Sequence, residues 1–157
     1  MIIAAAGHRP DKLGGYSSVV ENKLHLLAQK YLGETKPDFV ISGMALGWDQ
    51  AVAAAAALAG ISFIAAVPFE GQERKWPARS QSIYRSLLAK AARIDIISPG
   101  PWTRDAFQRR NEWMVDHCDR IVALWNGSVG GTGNCLVYAK FREKPWDNLW
   151  DEWSQMA

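Results

Sequence analysis

The sequence predicts an α/β fold: one domain in which about five parallel strands carry helices on both faces. Three observations carry that expectation. Short apolar runs end repeatedly in glycine or proline, and the stretches between them place apolar residues at helical spacing. The chain has 157 residues, the length of one ordinary domain able to bury a real core. Strands alternating with helices need crossover connections, which give a parallel sheet covered on both sides.

Residues 2–6 are an apolar run ending at Gly7 and read as a buried strand. Ser18 and Glu21 then stand at capping-box spacing, ahead of Val20, Leu24, Leu27 and Tyr31 on one helical stripe. A second strand is expected over residues 38–41, closed by Ser42 and Gly43. A helix follows through residues 50–58 and stops at Gly60. The third strand spans 61–67 and breaks at Pro68. The next helix covers 80–92, with Ile83, Leu87 and Ala91 on its inner face. Residues 94–97 form the fourth strand, ended by Pro99 and Pro101. Residues 103–118 read as helix, 121–125 as the fifth strand, 127–133 as a glycine-rich loop and 132–141 as the last helix. The Trp-rich C-terminal tail, residues 145–157, would set Trp146, Trp150 and Trp153 on one side of a short helix. It packs either on its own domain or against another subunit. Neither a repeat nor a second domain interrupts the series, so residues 1–157 read as a single Rossmann-like domain.

Composition narrows the functional classes. Hydrophobic content of 48% and charged content of 22% are those of a globular chain, which excludes disorder. A net charge of +2 is too small to imply nucleic acid by itself. No run approaches the roughly 18 apolar residues of a membrane span. The opening apolar residues lack the basic flank of a secretion signal, so a cytoplasmic protein is expected. Cys118 and Cys135 stand far apart, which points to neither a zinc site nor a disulfide framework, and no cofactor or metal is implied.

In an open parallel sheet, ligands bind outside the carboxyl ends of the strands, near the switch in strand order. Four strand-end segments therefore carry weight. Gly7-His8-Arg9-Pro10 offers a close backbone approach and a forked phosphate donor. In the segment from Ser42 and Gly43 to Gly47 and Asp49, glycines lead into a helix amino terminus. There Asp49 either caps the helix or binds a ribose hydroxyl. The loop holding Gly130, Gly131, Thr132 and Gly133 exposes backbone donors beside a helix's positive end, as phosphate binding requires. On the helix from Thr103, Phe107, Met114 and Cys118 fall within about 20° of one line. Arg110 and Asn111 flank that face and turn inward, whereas Arg109 points to solvent. The guanidinium of Arg110 then needs an anion, supplied either by a ligand or by an internal carboxylate. A further loop contains Glu70, Gln72 and Trp76; Gln72 is suited to a base edge and Trp76 to a ring or to the core.

Ser42-Gly43-x-Ala45-x-Gly47-x-Asp49, Arg110-Asn111 and Gly130-Gly131-Thr132, in this order, resemble the SLOG superfamily. With Gly7-His8-Arg9-Pro10 and Tyr138-Ala139, the chain is most similar to its YpsA-like family over about residues 2 to 142. The resemblance implies a Rossmann-like fold binding nucleotides or related signals, often as a homo-oligomer. Related Lonely-guy phosphoribohydrolases use an arginine, matched by Arg110, and a Pro-Gly-Gly-x-Gly-Thr-x-x-Glu segment. Here Val129 replaces the proline, Asn134 the threonine and Val137 the catalytic glutamate. A hydrolase would need another carboxylate, with Glu70 preferred over Glu73 and Asp49 because it directly follows a strand end. DprA-type proteins share the Ser-Gly-x-Ala-x-Gly-x-Asp segment and bind single-stranded DNA. The basic stretch of Arg74, Lys75, Trp76, Arg79 and Arg85 suits such a strand, or equally a solvated helix face. The sequence thus supports a binder of a nucleotide or nucleotide-derived small molecule, with a hydrolase and a single-stranded nucleic-acid module as alternatives.

Overall fold

The computed structural model describes residues 1–156. Its sheet is assembled from β1 (Ile2–Gly7), β2 (Phe39–Ser42), β3 (Ser62–Val67), β4 (Arg93–Ile96), β5 (Arg120–Leu124) and β6 (Trp146–Asn148). Every pairing is parallel, and the order is β4-β3-β2-β1-β5-β6. The intervening helices are α1 (Ser18–Thr35), α2 (Trp48–Leu58), α3 (Ala78–Leu88), α4 (Ala106–His117), α5 (Gly131–Phe141) and α6 (Trp150–Gln155).

Alternation along each strand divides the core into two layers. Ile3, Ala5, Val40, Phe63 and Val122 face α1, α2, α3 and α6. Ala4, Ala6, Ile41, Ala66, Ile121 and Ala123 face α4 and α5. The alanines of β1 let helices from both sides approach the central strand closely. Gly7 extends this economy, because a Cβ there would overlap the fully buried Trp48 ring. That ring is fixed in turn by an indole N–H donated to the Val122 carbonyl at 3.2 Å.

Several local expectations shift. Ser17, one residue earlier than expected, caps α1 by accepting from the Val20 amide at 3.3 Å. Glu21 therefore completes no capping box and instead pairs with Arg79 at 3.0 Å. In α3 the buried residues are Tyr84 and Leu87, and Ile83 is exposed. A tyrosine takes the inner position because Gln72 supplies its hydroxyl with a partner at 3.1 Å. The sheet has six strands, one more than expected. β6 is only three residues long, two of them polar, too short for alternation to reveal it. Trp146 thus lies in a strand, not on the helical face with Trp150 and Trp153. Trp153 is buried in the first core layer, so the tail packs on its own sheet.

Two consequences matter for function. The chain runs outward from β1 through β2 and β3 to β4, then returns to place β5 on β1's other side. Loops leaving β1 and β5 therefore diverge and open a crevice at the carboxyl end of the sheet. Among the described residues, no helix is long and apolar enough to cross a membrane.

Candidate functional site

A cavity of about 440 Å³ occupies that crevice. Its floor is the end of β1. Gly7, His8, Arg9, Asp11 and Lys12 supply one wall; Asp49 of α2, Phe107, Arg110 and Asn111 of α4, and Gly131 and Thr132 of α5 supply the others.

Arg110 dominates the electrostatics. It is 4% exposed, donates from Nη1 to the Gly43 carbonyl at 2.6 Å, and from Nε to Asn111 Oδ1 at 3.1 Å. Among the described residues no carboxylate oxygen lies within 4.0 Å of it. This is a desolvated cation held by neutral acceptors, an arrangement that burial penalises unless an anion arrives. Gly43 is glycine for a steric reason, since a Cβ would run into the Arg110 guanidinium. Gln72 braces the same carbonyl through Nε2 at 3.3 Å.

Asp49 faces Arg110 from the first turn of α2 without an ion-pair contact. It does not cap that helix. Gly47 holds the cap position at φ +95°, a conformation in which a Cβ would also press on the His8 carbonyl at 2.6 Å. Asp49 is buried, and its Oδ1 has no hydrogen-bond partner. Burial pushes its carboxyl up to about 6, against the opposing pull of Arg110 and of the Ala45 and Gly7 amides. Such a group takes both protonation states near neutral pH. It welcomes a ligand donor such as a sugar hydroxyl.

His8 ties the two diverging loops together. His8 Nε2 lies 2.9 Å from Asn126 Oδ1 and 3.0 Å from the Asn126 amide nitrogen, and burial lowers the imidazole's pKa against the opposing pull of the Asn126 side chain. Across the crevice, Lys12 reaches Ser128 Oγ at 3.0 Å. The amino terminus of α5 meets the cavity through Gly131 and Thr132, and a Cβ on Gly131 would find no atom within 4 Å. Open space in front of a helix amino terminus is what an anion needs.

The structure therefore gathers Gly7, His8, Arg9, Asp49, Arg110, Asn111, Gly131 and Thr132 around one cavity. Four other candidates do not line it. Ser42 builds the β2–α2 turn, donating to the Asp49 carbonyl at 2.7 Å and accepting from the Met44 amide at 3.1 Å. Gly43 makes room for Arg110, Gly130 caps α5, and Gly133 packs near the Ser128 carbonyl. Sequence reasoning missed Asp11, Lys12 and the Phe107 ring; the basic Lys12, three residues after Arg9 in a strand-end loop, was the available signal. Arg109 is exposed and paired with Asp105 at 2.7 Å.

A second cavity of about 820 Å³ adjoins the first and shares Arg9 and Phe107 with it. Glu70, the preferred catalytic carboxylate, lines this second cavity and not the one that holds Arg110. Val137 is 71% exposed on α5, outside the walls of both. Trp76 packs edge-on against Tyr84 at 5.3 Å, whereas Trp102 presents a 60% exposed ring. The expected basic stretch is divided: Arg79 is drawn to Glu21 and Arg85 to Glu73, leaving Arg74 and Lys75 at the cavity. Among the described residues, no cluster of histidine, cysteine, aspartate and glutamate is arranged to hold a metal ion.

Comparison with known proteins agrees with this architecture. The family model YpsA, described as the YspA SLOG family, matches residues 3–144. The SPbeta prophage-derived protein YoqJ of Bacillus subtilis is 32% identical over 137 residues, covering 77% of this chain and 80% of that protein. A UPF0398 protein of Bacillus velezensis is 21% identical over 148 residues, covering 87% and 81%. Among solved structures, DNA processing protein A (DprA) from Streptococcus pneumoniae superposes with a TM-score of 0.64 at 18% identity. It covers 98% of this chain, which spans about half of it (53%). DNA processing protein A from Helicobacter pylori, described by its single-stranded DNA binding mode, gives 0.66 at 18% identity, covering 93% and 63%. The structure described as TM1055 gives 0.63 at 19%, covering 99% and 81%. At these identities the structural matches speak to the fold.

Proposed function

The chain belongs to the YpsA family of SLOG proteins, and we propose that its crevice binds a nucleotide or nucleotide-derived small molecule through a phosphate. One observation carries this reading: Arg110 is buried with no carboxylate partner among the described residues, in a cavity onto which the α5 amino terminus opens. A phosphate there pairs with the guanidinium, accepts amide donors from α5 and meets Lys12 at the rim. Asp49, with its free Oδ1, is placed to take a ribose hydroxyl. The test is thermal unfolding with millimolar nucleoside monophosphates and cyclic or linear dinucleotides. A binder raises the melting temperature by mass action. Absence of any shift across the panel, with folded protein, defeats the proposal.

The hydrolase reading keeps one observation in its favour. A buried carboxyl shifted to about 6 beside an arginine is a reasonable acid–base group, and that carboxyl is Asp49, not Glu70. Chromatography for released base after incubation with nucleoside monophosphates tests it; activity retained in Asp49→Asn rules that assignment out. Assembly as a homo-oligomer draws support from Val137 and Phe141, 71% and 79% exposed one turn apart on α5. Light scattering of the wild type and of Phe141→Lys tests that proposal, and a monomeric wild type refutes it.

A further inference from the structure

We propose that the second cavity seats an aromatic base, so that the ligand is a dinucleotide: two nucleosides joined through their 5′ phosphates. This rests on the reading of the first cavity as a phosphate site. The two cavities are neighbours with a common wall of Arg9 and Phe107, and Arg9 lies over the Phe107 ring at 5.4 Å. Arg9 therefore stands between the two spaces with its charge available to both. Among the described residues it has no carboxylate within 4.0 Å, and the same holds for Arg74 and Lys75 on the far side.

The second cavity offers what a base requires. Trp102 is a large ring, 60% exposed, with no aromatic neighbour among the described residues to occupy its face. Gln72 is 8% exposed and fixed by its Nε2 to the Gly43 carbonyl and the Tyr84 hydroxyl, yet its Oε1 has no donor. A buried acceptor without a donor is costly, and an exocyclic amine or ring N–H on a base supplies one. Cavities of about 440 and 820 Å³ each lie in the range of small-molecule sites, so one mononucleotide leaves the larger unfilled. A longer nucleic-acid strand is the weaker occupant. It needs a run of free cations along its backbone, and Arg79 and Arg85 are already engaged with Glu21 and Glu73.

Calorimetric titration with the common nucleoside 5′-monophosphates and their symmetric 5′,5′-pyrophosphate dinucleotides tests the proposal, using wild type and Trp102→Ala. Trp102 is a surface ring, so the variant folds; circular dichroism verifies this. A dinucleotide is expected to bind more tightly than its monophosphate. Trp102→Ala should weaken the dinucleotide by about tenfold, the loss of one stacked base, and leave the monophosphate unchanged. Equal affinity for the two probe types, or a Trp102→Ala effect on both, overturns the second seat while the phosphate site stands. Binding of neither type overturns both readings. Tighter binding of a short oligothymidylate than of any dinucleotide, lost in Trp102→Ala, assigns the cavity to a strand and overturns the dinucleotide.

Discussion

Replacing Arg110 with methionine separates ligand binding from packing, because an unbranched apolar side chain still fills the path of the arginine stem while the guanidinium, with its charge and donors, is lost. In the ligand-free protein two effects oppose. The bond to the Gly43 carbonyl at 2.6 Å is lost, and a charge-assisted bond contributes about 1.5–3 kcal/mol. Against this, a desolvated cation without an ion-pair partner is removed, which returns a comparable amount. The Gly43 carbonyl also keeps Gln72 as a donor at 3.3 Å. Stability by urea titration should therefore move by no more than about 2 kcal/mol. Affinity behaves differently, since nothing else buried in the cavity replaces a forked cation against phosphate. The expected loss is about 2–4 kcal/mol, roughly thirtyfold to a thousandfold in Kd, measured calorimetrically at low salt with whichever nucleotide the thermal panel identifies. Arg109→Ala, on the exposed side of the same helix, is the control and should change Kd little. Two results refute the reasoning. Equal affinity losses for both arginines mean that overall charge, not position, matters. A large stability loss with unchanged affinity makes Arg110 a structural residue.

Other perturbations read other parts of the site. The Asp49 carboxyl rises on folding from 3.8 to about 6, so the folded state binds more protons than the unfolded state between those values. Stability of the empty protein should fall by about 3 kcal/mol as pH rises through that window, and the same measurement on Asp49→Asn should show a flatter profile; parallel profiles contradict the assignment. Gly7→Ala forces a methyl into the Trp48 ring and should destabilise by about 1–3 kcal/mol in urea; a neutral result means that Trp48 moves freely. Gly131→Asp adds its side chain to open space, so melting should hold while nucleotide binding disappears, because a carboxylate then occupies the anion seat. Retained binding there places the phosphate elsewhere.

How much was legible beforehand follows from the range over which each signal acts. Apolar runs, glycine stops and helical stripes are local, so the sequence alone determined the α/β class, the parallel strands and which loops lie at the strand ends. It also determined that Arg110 and Asn111 turn inward while Arg109 does not, because helical geometry settles that within one element. Strand order is a non-local property, and with it came everything that depends on which loops diverge. Only the folded sheet put β5 beside β1, brought Lys12 within 3.0 Å of Ser128, and turned two distant loops into one cavity. The same limit separates the glycines. Gly43 and Gly131 look alike in the chain, yet one is small because Arg110 fills the space before it and the other because that space is left open. A motif records that a side chain is missing; the neighbours that tertiary packing brings decide whether the vacancy serves the core or a ligand.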